Sequence, residues 1–209
     1  MSKIYIADVL SIAAGEVGYK EKATNADLDS QTGNAGSGNW TKYARDLWDA
    51  DPHFYQGPKN GYDWCAVFVD WCLYMAAEQD AEAAQKALCY TGPYGAGCGS
   101  SVSYYKAAGR FRYSDPQPGD QIFFGTDSNV RHTGLVESVE NGTVCTIEGN
   151  SSNMVRRRVY NLSDENILGY GRPKYDGDKA PEPVSTDRDH AIAEAARVLF
   201  RLLAAEEGV

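Results

Sequence analysis

Apolar residues at the start of the chain recur at helical spacing: Ile4, Val9, Leu10, Ile12, Ala13 and Val17. They predict an amphipathic first helix from Ile4 to about Lys20, closed near Gly18. Ala23 to Trp40 then turns to Asn, Asp, Ser, Thr and Gly, a long polar loop. A short second helix is predicted from Thr41 to Leu47, followed by a loop rich in Pro, Gly and Asn that leads to Asp63. The clearest helix runs from Trp64 to Gln79, where Cys65, Phe68, Val69, Cys72 and Met75 form one apolar stripe. Asp63 stands where an N-cap is expected. A further helical piece covers Ala81 to Leu88, and a Gly-rich loop from Thr91 to Ser100 precedes a short helix ending at Gly109.

Beyond Pro116 the period changes from helical to two. Gln121 to Phe124, His132 to Val139, Thr143 to Glu148, Val155 to Tyr160 and Leu168 to Arg172 read as strands. Asn141-Gly142 between two of these runs predicts a tight hairpin. Helices first and strands afterwards predict an α+β fold, with N-terminal helices packed on a small antiparallel sheet. The organisation expected is one domain over residues 1–175, a charged, Pro-containing linker over 176–190, and a C-terminal helix over 191–209. In that last segment Ile192, Ala195, Ala196, Leu199, Leu202 and Leu203 share a stripe. A single helix of that length needs its apolar face covered, so self-association through it is expected, with packing on a partner, docking back on the domain or wall targeting as the alternatives.

Composition narrows the function. With 43% hydrophobic and 23% charged residues the chain is an ordinary globular protein. A net charge of −9 repels phosphate backbones, so nucleic acid is not an expected partner. The one basic run, Arg156-Arg157-Arg158, reads as a solvated strand edge. No apolar run is long enough to span a membrane, and the start of the chain carries no secretion signal pattern. The expectation is therefore synthesis in the cytoplasm without a signal peptide. The five cysteines, Cys65, Cys72, Cys89, Cys98 and Cys145, lack zinc-site spacing and read mostly as reduced thiols.

Cys65 opens the clearest helix, where backbone N–H groups favour a thiolate. Taken alone it is equally well a buried core cysteine, which is the simplest reading of Cys72. His132, one of three histidines, opens a strand and supplies the base that a thiol nucleophile needs. Glu148-Gly149-Asn150 ends the neighbouring strand, within reach of an imidazole whose tautomer it would hold. Asn25, Asp27 and Asp29 alternate as oxygen ligands, a candidate calcium loop, but the glutamate at the twelfth position is missing, and the segment reads first as a polar loop. Trp40, Tyr43, Trp64, Tyr104 and Tyr105 are read as core rather than as a binding groove.

The run Tyr62-Asp63-Trp64-Cys65-Ala66-Val67-Phe68-Val69-Asp70-Trp71-Cys72 resembles the nucleophile segment of the CHAP family, the cysteine, histidine-dependent amidohydrolase/peptidases. His132-Thr133-Gly134-Leu135-Val136 resembles the family's histidine strand, and Thr146-Ile147-Glu148-Gly149-Asn150 the strand of its third residue. The tail Gly169-Tyr170-Gly171-Arg172-Pro173 fits as well, and the similarity covers about Ile4 to Tyr175. The resemblance implies a papain-like core and hydrolysis of peptidoglycan amide bonds without a required cofactor. It implies Cys65 as nucleophile, His132 as base and Glu148 as the group orienting it, with Asn150 supporting. Family members include phage lysins and bacterial autolysins, so release to the wall, for example through a holin, is expected. Asp63 departs from the family, which commonly has proline there, and is expected to cap the helix. Two alternatives use the same residues differently: a thiol hydrolase of a small γ-glutamyl or isopeptide substrate, and a wall-binding module without catalysis.

Overall fold

The computed structural model describes residues 2–92 and 94–177, and Ala195. The expected linker and C-terminal helix therefore lie almost wholly outside the described residues. Among the described residues five helices precede a six-stranded antiparallel sheet: α1 (Ile6–Gly15), α2 (Lys42–Ala50), α3 (Cys65–Ala76), α4 (Ala81–Ala87), α5 (Cys98–Ala107), β1 (Phe111–Arg112), β2 (Gln121–Thr126), β3 (Asn129–Glu140), β4 (Thr143–Glu148), β5 (Arg156–Asn161) and β6 (Ile167–Gly171). This is the α+β, papain-like arrangement expected from helices followed by strands.

α3 is the centre of the molecule. Every one of its residues except Met75 is buried. The stripe read from the sequence is thus only part of a helix that is covered all round. α1, α2, α4, α5 and strands β3 and β4 all pack on it. Aromatic rings fill its flank: Tyr43 meets Trp64, Phe68 and Trp71 at centroid distances of 5.6, 5.2 and 4.9 Å. Tyr43, Trp64 and Tyr105 are fully buried and Tyr104 is buried, so these aromatics are core as expected, while Trp40 is only partly buried. α2 and α4 are capped by side chains one residue before their starts, Thr41 accepting from the Ala44 N–H and Asp80 from the Ala83 N–H.

The sheet order is β1-β6-β2-β3-β4-β5. β2 to β5 form a meander, and the chain then returns to lay β6 between β1 and β2. Asn141 and Gly142 both have positive φ, 51° and 77°, which is the backbone a two-residue hairpin loop between twisted strands requires. Phe123, Leu135 and Ile147 pack toward the helices, while Ile122, Phe124, Val136 and Val144 fill the opposite face. β5 is an edge strand with alternating burial, and Arg157 on it pairs with Glu137 at 2.8 Å, so the arginine run is a strand edge. The two-residue strand β1 has no sequence signature, because pairing with β6 rather than its own pattern creates it. The beginning of the domain is clasped to its end: the Ile4 N–H donates to the Asp176 carboxylate, and the Asp176 N–H to the Ile4 carbonyl, each at 2.8 Å.

One buried group in α3 carries a stability consequence. Asp70 is fully buried; its Oδ2 accepts from the Tyr55 and Tyr90 hydroxyls at 2.5 and 2.6 Å, while Oδ1 has no partner among the described residues. Burial pushes its carboxyl from the ordinary 3.8 up to about 7, against those two donors and with help from the nearby Cys65 sulfur. The folded state therefore holds this proton more tightly than the unfolded chain. Its contribution is fullest below about pH 4 and is lost as pH rises to about 7. Asp70→Asn keeps an oxygen for both tyrosines and cannot ionise. Denaturant titrations should show the variant gaining roughly 2–4 kcal/mol on the wild type between pH 4 and pH 7. Parallel stability curves would refute the assignment.

Candidate active site

Cys65 is the first residue of α3, and Trp64, with φ −120° and ψ 16°, is the N-cap. This corrects the expectation for Asp63. It lies one position too early to cap, and its carboxylate instead accepts from the Asn150 amide at 3.2 Å. Asn150 thus has Asp63 as a hydrogen-bond partner. It occupies a left-handed backbone position (φ 54°) and ties the end of β4 to the segment before Trp64.

His132 and Glu148 meet as expected, with Nε2 and Oε2 2.9 Å apart. The register explains how. Leu135 pairs with Ile147, so one step further along Gly134 lies opposite Glu148. His132 is two residues from Gly134 and shares its face. A Cβ on Gly134 would sit 2.6 Å from Glu148 Cγ and 2.9 Å from the Ile147 carbonyl, so only glycine leaves room for the carboxylate arm. Thr133 points the other way, bonding Gln121 and the Ile122 carbonyl. The sequence His-Thr-Gly thus reads as base, anchor and gap. Gly134→Ala is expected to displace β4 from β3, costing about 1–3 kcal/mol by overpacking. It should also impair activity out of proportion to stability; urea titration beside a hydrolysis assay tests this, and an active variant of wild-type stability would refute it.

Gly149 makes the second close approach. A Cβ there would meet Phe68 Cβ at 2.4 Å and the Trp64 ring at 2.9 Å. The end of β4 is therefore pressed against the start of α3, which brings Glu148 and His132 to the Cys65 sulfur. Glu148 is 1% exposed. Its Oε1 accepts from Thr146 at 2.7 Å, and Tyr160 also donates to the carboxylate. Burial opposes its charge, but the His132, Thr146 and Tyr160 contacts hold it below the usual range. Phe124, opposite His132, stacks on the imidazole at 5.9 Å between centroids.

With Nε2 engaged by Glu148, Nδ1 is the nitrogen left for Cys65. The Cys65 thiol is brought down to about 5. The largest cause is a hydrogen bond with the Cys98 thiol, whose sulfur is 3.4 Å away; burial opposes it, and the His132 imidazole and the Ala66 N–H add to it. For His132, burial disfavours the imidazolium, but Cys65 and Glu148 outweigh it and raise the ring to about 9. The pair can therefore stand as thiolate and imidazolium at neutral pH.

Sequence reasoning missed Cys98, Thr146 and Tyr160. Thr146 was legible in principle, being two residues from Glu148 on the same strand face. Cys98 opens α5 as Cys65 opens α3, but it was read as part of a glycine-rich loop. The Asn25 to Asp29 segment is separate. Asn25, Asp27, Asp29 and Arg45 line a surface depression, and both oxygens of Asp29 accept from Arg45 at 2.8 and 2.7 Å. The residues do not fit a calcium ion as they stand, because a guanidinium already neutralises Asp29.

Residues 57–150 match the family profile of the CHAP domain. Over that span, a little under half of its length, the chain is similar to the CHAP family. The matched span holds Cys65, His132, Glu148 and Asn150. Two solved structures are similar at 15% identity and a TM-score of 0.46: "The crystal structure of Ly7917" and "The crystal structure of Ly7917 with the hydrolyzing product of MDP". The alignments cover 81% of this chain and 62% and 63% of those chains, so it spans less than two thirds of their length. A comparison with curated proteins returns no significant match.

Proposed function

We propose that the protein is a peptidoglycan hydrolase that cleaves amide bonds of bacterial cell-wall peptides through Cys65. The single observation that carries this reading is the convergence of Cys65, His132 and Glu148 at the junction of α3 with β3 and β4. The match of residues 57–150 to the CHAP profile supports the substrate class.

In this mechanism the Cys65 thiolate attacks the amide carbonyl. The first N–H groups of α3 have no partner within the helix and face the developing oxyanion. His132 gives its proton to the leaving amine, and Glu148 keeps the ring turned toward the sulfur. Water, deprotonated by His132, then releases the acyl group. A phage or prophage lysin that meets the wall after release is the setting we propose.

Mass spectrometry of soluble products from purified sacculi tests the proposal. An N-acetylmuramoyl-L-alanine amidase releases peptides beginning with L-alanine and leaves the lactyl carboxyl free. An endopeptidase leaves new termini within the stem or cross-bridge. Absence of any new amine from sacculi, with turnover of a small γ-glutamyl or isopeptide substrate, would replace the wall by a small-molecule substrate.

A further inference from the structure

We propose that Cys65 and Cys98 form a peroxide-reactive thiol pair that closes reversibly to an intramolecular disulfide. The inference rests on the reading of Cys65 as a reactive thiolate, and adds to it a second cysteine with a defined task.

The two residues are 33 positions apart in the chain, yet each is the first residue of a helix, and the two helix starts bring their sulfurs to 3.4 Å. Both are free thiols, and each retains a sliver of exposed surface, 6% for Cys65 and 8% for Cys98. Bond formation needs the sulfurs to approach to about 2.05 Å, a movement of little more than 1 Å. The other cysteines are placed differently. Cys72 is fully buried within α3, Cys145 lies on β4, and the Cys89 thiol donates to the Ala87 carbonyl.

The oxidant is hydrogen peroxide or an organic hydroperoxide. The Cys65 thiolate attacks one peroxide oxygen, the O–O bond breaks, and hydroxide leaves, giving a sulfenic acid. The Cys98 sulfur then attacks the Cys65 sulfur, an S–S bond forms, and the sulfenic oxygen leaves as water with the Cys98 proton. Overall two thiols are oxidised, one hydrogen peroxide is reduced, and two waters form. The disulfide ties up the nucleophile, but it also keeps Cys65 from further oxidation to the sulfinic acid, which thiols do not reverse. Reduction by a dithiol restores both groups.

The test uses the full chain, reduced, freed of reductant and exposed to a small excess of hydrogen peroxide. Non-reducing peptide mapping should find a Cys65–Cys98 cross-link with the loss of two hydrogens, reversed by dithiothreitol. In Cys98→Ser, Cys65 should instead gain two or three oxygens, and dithiothreitol should not remove them. Oxygen-bearing Cys65 beside an unmodified Cys98 in the wild type would overturn the proposal, as would a cross-link through Cys89. The mass readout needs no wall assay. A cross-link in a protein that never acts on sacculi would sink the hydrolase reading alone, and lysis without a cross-link would sink the thiol-pair reading alone.

Discussion

Cys65→Ser is expected to abolish release of wall peptides, with a loss on the order of 10⁴-fold or more, as when a nucleophile is removed from an enzyme whose groups act as a unit. The substitution keeps the side chain's shape at the first position of α3, so folding should survive. The weaker nucleophile is the reason for the loss, since a serine hydroxyl does not ionise where the Cys65 thiol sits at about 5. Cys72→Ala supplies the control. That thiol is fully buried, and burial raises it well above the ordinary thiol range. It serves as a small apolar side chain, and its removal should cost about 1 kcal/mol of stability while most activity remains. Product release from sacculi, with circular dichroism as the check on folding, decides between them. An essential Cys72 with a dispensable Cys65 would overturn the site.

Glu148→Gln carries the second large expected effect. In the wild type the Cys65–His132 pair titrates near 5 and 9, so kcat/KM should be bell-shaped between those limbs. The acid limb is protonation of the thiolate, and the alkaline limb is loss of the imidazolium proton. A neutral amide at 148 no longer favours the imidazolium, so His132 gives up its proton at lower pH. The alkaline limb should therefore move toward acid. The amide also offers Thr146 and Tyr160 a different set of donors, loosening the hold on the ring. Removing the carboxylate from a comparable base in a nucleophilic hydrolase costs about 10⁴-fold in rate, and a loss on the order of 10²–10⁴-fold is expected here. A pH–rate profile on a soluble wall fragment reads both effects. A variant slower at every pH but with both limbs unmoved would mean that Glu148 acts only as scaffold.

The parts of the site legible in the sequence were those with a local cause. Cys65 is marked by the helix that it opens, and His132 by its strand, although β3 begins three residues earlier than expected, at Asn129. Glu148 is marked by the Asn-Gly hairpin, which makes β3 and β4 neighbours. The loop pairs Glu140 with Thr143, but a bulge between Val136 and Ser138 then shifts the register by one, and only that shift puts the carboxylate opposite Gly134. The misplacement of Asp63 has the opposite cause. It was assigned to the cap from its position in the chain. In the folded chain it accepts from Asn150 across a separation of 87 residues, a pairing no local pattern encodes.

By itself, the sequence determined the order of helices and strands, the α+β class, the CHAP resemblance and the candidates for nucleophile, base and orienting carboxylate. Short-range periodicity, turn chemistry and helix starts carry that information, because each depends on neighbours a few residues away. Only the tertiary structure decided that α3 is buried on every side, that β1 exists, and that Gly134 and Gly149 are gaps demanded by neighbouring atoms. It alone placed the Cys98 sulfur 3.4 Å from Cys65. The physical reason is that these features arise where separate elements press together. Close packing sets which atoms meet there, and side chains tens of residues apart acquire one another as partners.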